Sequence, residues 1–178
     1  AITTAQIGAL ATDALNALST AQFAVMTSAQ VNALTSDQIA PLRTADLPAL
    51  SVAAVRAFGS DDIAAMTTDQ IAGFTTAQFA SLTSAQLQGL STDQIAKIET
   101  ADLRTISTAV LQSLTSDQFE AFTSTQLAAL TTAQIAAIAT SPNQLSGLSA
   151  AEIANLSSAQ VAALGSAQLA SLTTDQVA

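Results

Sequence analysis

One eight-residue word, Leu-Thr-Thr-Ala-Gln-Ile-Ala-Ala in its commonest form, repeats from end to end of this chain. A period this short confines the fold to a stack of one small unit. The first apolar slot reads Leu10, Leu18, Met26, Leu34, Leu42, Leu50, Phe58, Met66, Phe74, Leu82 and Leu90, and continues through Ile98, Ile106, Leu114, Phe122, Leu130 and Ile138. After a two-residue insertion it resumes at Leu148, Leu156, Leu164 and Leu172. A second slot, five residues after the first, holds Ile7, Phe23, Val31, Ile39, Ile63, Ile71, Phe79, Ile95, Phe119, Ile135 and Val161.

The octad carries its own helix-start signal. In Met26-Thr27-Ser28-Ala29-Gln30-Val31, Thr27 and Gln30 have the spacing of a capping box, in which the hydroxyl accepts from the N3 amide and the glutamine reaches back to the N-cap amide. Met26 and Val31 then fall at the two positions of a hydrophobic staple. The same grammar places Thr27, Thr35, Thr67, Thr83, Thr115 and Thr131 at helix N-caps. Asp37, Asp61, Asp69, Asp93, Asp117 and Asp175 fall in the first turn, where an anion meets the positive end of the helix dipole. Ser141-Pro142 puts a proline at N1, where its missing N–H costs nothing.

Octads cannot fuse into one long helix. At about 100° per residue, eight residues return roughly 80° out of phase, so the apolar slots would wind around the surface instead of forming a stripe. A β-solenoid fails as well, because alternating spacings of five and three put successive apolar residues on opposite faces of a strand. The spacing therefore predicts an all-α solenoid of short helices, five to seven residues each, one per octad and held by neighbouring coils. About three to four octads should make one coil. Its inner spine is expected to include Phe23, Leu34, Phe58, Ile71, Phe79, Leu90, Phe119, Leu130 and Ile135.

The array divides into octads over 1–138, an irregular insertion over 139–147 and octads again over 148–178, all in one domain. Pro142, Asn143 and Gly147 make the insertion a bulging loop or a change of coil registry. Pro41, beyond a first helical turn, should shorten its helix. Asp13, Asp37 and Asp61 recur in Asp69, Asp93 and Asp117 after a displacement of 56, and Arg43-Thr44-Ala45-Asp46-Leu47 matches Glu99-Thr100-Ala101-Asp102-Leu103 at the same displacement. The 24-residue spacing within each trio would suit about three octads per turn, and one duplication of seven octads would explain the same pattern. The chain stops inside a repeat at Gln176-Val177-Ala178, and we expect it to be a section of a longer array.

Composition narrows the function classes. With no His, Cys, Tyr or Trp, the commonest acid–base, nucleophilic and transition-metal side chains are missing, so no catalytic, cofactor or metal residue is assigned. Asp61-Asp62 is the only adjacent acidic pair, and neighbouring helix positions do not face one pocket. A net charge of −9 with four basic residues, Arg43, Arg56, Lys97 and Arg104, opposes nucleic-acid binding. No apolar run is long enough to span a membrane. The expected role is a structural fibre or spacer whose partner is itself, end to end or laterally. The alternative is a polar lattice that binds a glycan, a surface or ice.

The run Leu130-Thr131-Thr132-Ala133-Gln134-Ile135-Ala136-Ala137-Ile138-Ala139 resembles the opening helix of transcription activator-like effector repeats. The second helix, base-reading loop and basic contacts of that family have no counterpart, so DNA binding is not implied. Over its whole length the chain more closely resembles the Thr-Ala-Gln octad tracts of very large, often adhesin-like, secreted or surface proteins of proteobacteria. That resemblance implies an extracellular or cell-surface extender or fibre.

Overall fold

A computed structural model describes residues 2–140 and 144–176. Ser141, Pro142, Asn143, Val177 and Ala178 lie outside the described residues, and with them the expected proline at N1. Each regular octad builds one short helix, as in Thr4–Ala9, Ser28–Val31, Thr68–Ala72, Ser116–Glu120 and Ser166–Ala170. No β-strand forms among the described residues. The architecture is an all-helical solenoid.

The local chemistry explains both ends of every unit. Thr27 has extended φ/ψ of −79° and 159°, so the chain turns sharply into the helix there, and its hydroxyl accepts from the Gln30 amide. At the far end Leu34 N–H donates to Val31 O at 3.1 Å, a short i→i−3 closure that stops the helix. The next N-cap, Thr35, is again extended. Several helices are shorter than the expected five residues: Ser28–Val31, Ser36–Ile39, Val52–Val55, Thr92–Ile95 and Thr100–Leu103 have four. Pro41 follows the helix Ser36–Ile39, and Pro48 lies within a 3-10 helix, Thr44–Ala49.

Coil size follows from which helices touch. Ser28–Val31 packs on Val52–Val55, Ser60–Ala65 on Ser84–Gln88, and Thr100–Leu103 on both Thr76–Ala80 and Ser124–Ala129, each pair three octads apart. Side-chain bonds also reach almost four octads back, from Gln38 to Ile7 for example. One coil therefore takes between three and four octads. Both apolar slots turn inward, and a single buried cluster runs from Ile7 to Leu164. Phe23, Leu34, Phe58, Ile71, Phe79, Leu90, Phe119, Leu130 and Ile135 are all buried in it. Edge-on ring pairs, Phe74 with Phe79 at 6.0 Å and Phe119 with Phe122 at 5.2 Å, pack within it. Burial of each such side chain contributes roughly 1.5–3 kcal/mol before entropy is subtracted.

The slot pattern misplaces one residue that it assigned to the second apolar slot. Val161 is 43% exposed and its neighbour in register, Leu169, 46%. Both belong to the last coil, where no further coil covers the slot.

Candidate functional site: the glutamine joints and the end coils

The side chain that joins one coil to the next is the glutamine of the capping box. Its Oε1 faces its own N-cap: Gln94 Oε1 accepts from Ser91 N–H at 2.7 Å. Its Nε2 faces the preceding coil and donates to Ile63 O at 3.0 Å and Met66 O at 2.6 Å, 31 and 28 residues back. Gln38, Gln78, Gln86, Gln126 and Gln134 repeat the same pair of bonds at the same two separations. One amide thus satisfies a helix start and two buried carbonyls. A carboxylate could fill the first role and not the second, since it donates nothing when ionised.

The six threonines at the expected N-caps all occupy that position. The hydroxyls of Thr27, Thr67, Thr83, Thr115 and Thr131 accept from the N3 amide at 3.2 Å in each case. At Thr35 the return bond from its N–H to Gln38 Oε1 is present at 2.8 Å, without the hydroxyl bond. Gly59 and Gly165 hold the cap with the return bond alone, to Asp62 Oδ2 and Gln168 Oε1. The first-turn aspartates Asp37, Asp61, Asp69, Asp93 and Asp117 stand at helix starts, and no group of three or more metal-ligating side chains forms among the described residues.

The insertion leaves this ladder in step. Gln144 takes the joint position: its Oε1 accepts from Ala139 N–H and its Nε2 donates to Leu114 O, 30 residues back instead of 28. Gln160 and Gln168 reach back 33 and 30 residues across the insertion, and Gln176 returns to 31 and 28. The described residues on either side of the insertion therefore keep the same coil-to-coil partners.

Three aspartates replace the joint glutamine, and each takes a hydroxyl from the helix 26 residues earlier. Thr20 Oγ1 donates to Asp46 at 2.8 Å and Ser36 Oγ to Asp62 at 3.2 Å, and Thr76 hydrogen-bonds Asp102. Arg43 supplies what Asp46 lacks: its Nε pairs with the carboxylate at 2.7 Å while Nη2 donates to Leu18 O, the carbonyl 28 residues before Asp46. Arg56 likewise donates to Ser81 O in the next coil. Two of the four cations thus bridge coils. Asp102 has no such partner, and burial first, then the charge of Glu99, push its carboxyl above the ordinary aspartate range while the Thr76 hydroxyl opposes them.

The octad pattern located the caps and the spine and missed the joint. The signal was present, because a capping box accepts Glu and Gln alike, whereas this slot holds Gln in 15 of 22 octads and Glu only at Glu152. Consistent preference for the amide points to a use for its N–H groups.

At the ends the joint is incomplete. Gln6 and Gln22 make their capping bonds and are exposed, and their Nε2 groups meet no acceptor among the described residues. They border a concave mouth of about 910 Å³ lined by Ile2, Leu10, Leu18, Val25 and Met26, with Val25 75% exposed. The opposite end presents Val161 and Leu169. Among the described residues, no helix is long and apolar enough to cross a membrane.

Among known families, the model described as the ALTTAQ repeat matches the chain four times, over residues 12–44, 39–76, 95–132 and 135–174. No curated protein and no solved structure matches it.

Proposed function

We propose that this chain, which belongs to the ALTTAQ repeat family, serves as a non-catalytic structural segment, a fibre section or spacer outside the cell, whose end coils associate. The observation that carries this reading is the joint itself. Successive coils offer carbonyls and an apolar slot on one face and glutamine amides on the other, so the two faces are complementary. Gln6 and Gln22 stand in the donor position that Gln38 and Gln78 fill inside the array. Leu156 and Leu164 stand in the acceptor position that Leu148 fills for Gln176. A head-to-tail contact between such faces is heterologous, and contacts of that kind build filaments.

A polar-lattice binder receives less support, since the cap hydroxyls and joint amides already have partners within the array. Sedimentation velocity and cryo-electron microscopy across a concentration series test the reading. Rods that lengthen with concentration are the expected result, and replacing Val161 and Leu169 with Asp should return them to single copies without altering the melting of the interior. Discrete rods of constant length at every concentration would overturn end association.

A further inference from the structure

The duplicated stretch contains one substitution that changes its electrostatics. Asp46 and Asp102 are equivalent positions, 1% and 3% exposed, each touched by a threonine hydroxyl from the coil before. Arg43 accompanies the first, and Glu99 stands in the same place beside the second. The Arg43–Asp46 contact is the one ion pair among the described residues. Leu18 O, which takes the Arg43 guanidinium, has Phe74 O as its equivalent, and a glutamate at position 99 brings no donor to it.

Among the described residues, no cation pairs with Asp102. The two helices packed against Thr100–Leu103, namely Thr76–Ala80 and Ser124–Ala129, carry no titratable side chain. The octad before it contributes Asp93 and Lys97, Arg104 follows it, and neither cation pairs with Asp102. A buried carboxylate held by one hydroxyl lacks the charge partner and the second bond that normally make such burial tolerable.

We propose that Asp102 makes the joint between Thr76–Ala80 and Thr100–Leu103 proton-operated: the ionised carboxylate weakens it, and a bound proton removes the uncompensated charge while keeping the hydrogen bond to Thr76. Asp102 is raised in the folded chain, by burial and then by Glu99, so the native state binds more protons than the unfolded state between the ordinary aspartate value and the raised one. Stability from this group is therefore gained as pH falls through the raised value, is complete below about pH 3.9, and is lost as pH rises. Asp46, with its arginine, offers the built-in comparison.

The test follows the Asp102 carboxyl by carbon-detected NMR over about pH 3 to 8, with Asp102→Asn for assignment, and measures denaturant unfolding of the native chain, Asp102→Asn and Glu99→Arg over the same range. The expected result is a titration midpoint above that of free aspartate in the native chain. Asp102→Asn should show a smaller unfolding constant than the native chain at pH 7, and the difference should close towards pH 4. Glu99→Arg should bring the midpoint down and stabilise the neutral-pH chain. A native midpoint at or below the free value overturns the proposal, as do parallel pH profiles for the native chain and Asp102→Asn. Should the asparagine variant fail to fold, the native and Glu99→Arg midpoints decide alone.

Discussion

Glutamine at the joint does three things with one amide, and a one-atom change separates them. Gln94→Glu preserves a carboxylate oxygen for the Ser91 N–H, so the helix start survives. It removes both donors to Ile63 O and Met66 O and places a charge where the residue is buried. Met66 O is left without a donor, at about 1–3 kcal/mol, whereas Ile63 O keeps the Met66 N–H at 3.2 Å; with the buried charge added, the variant should lose about 3 kcal/mol at neutral pH. Chemical denaturation at two pH values checks this, because the penalty should shrink in acid as the new carboxyl protonates and recovers a donor. A loss below 1 kcal/mol would mean that the joint bonds contribute little beyond the apolar spine. Residues of this kind are read poorly from an octad pattern, since the pattern shows which amino acid recurs and leaves its long-range partner unspecified. Ser91 and Gln94 are legible as a cap because they are three residues apart; Gln94 and Met66 are partners because the solenoid returns there.

At the scale of the short helix, the sequence announces starts well and lengths less well. The N-cap and staple are local signals, and the helices begin where those signals stand, from Thr27 to Thr131. Lengths are not set by the N-caps: Ser28–Val31 and Thr4–Ala9 differ by two residues although their caps are alike and both octads end in the same i→i−3 bond. Close approach between coils also decides which glycines are replaceable. A Cβ built on Gly89 would lie 2.5 Å from Ser60 O, a backbone atom that cannot move aside, whereas on Gly165 the nearest neighbour, Gln168 Oε1, is 3.7 Å away. Gly89→Ala should therefore destabilise by about 1–3 kcal/mol through overpacking. Gly165→Ser should gain a few tenths of a kcal/mol by adding the missing cap acceptor. Thermal melts of the pair measure both, and equal effects at the two sites would show that the coil contact at Gly89 relaxes freely.

For the molecule as a whole, the same joint repeated along one axis makes stability a chain of nearest-neighbour terms. Leu90 is buried near the middle, and its carbonyl takes the Gln118 amide at 2.7 Å, so its side chain and backbone serve the same pair of coils. Leu90→Asp would bury an unpaired charge in that spine and should cost more than about 4 kcal/mol. Because coupling runs only between adjacent coils, the damage should be graded with distance and not uniform. Hydrogen exchange followed by mass spectrometry is the direct measurement. Amides within about one coil of the lesion, from Ile63 to Phe119, should exchange fastest, while those near Ile39 and Ile135 keep more of their protection. The variant's melting should also be broader than that of the native chain, as the two flanks uncouple. Uniform loss of protection along the chain would instead identify one global cooperative unit, and the additive description of the coils would have to be abandoned.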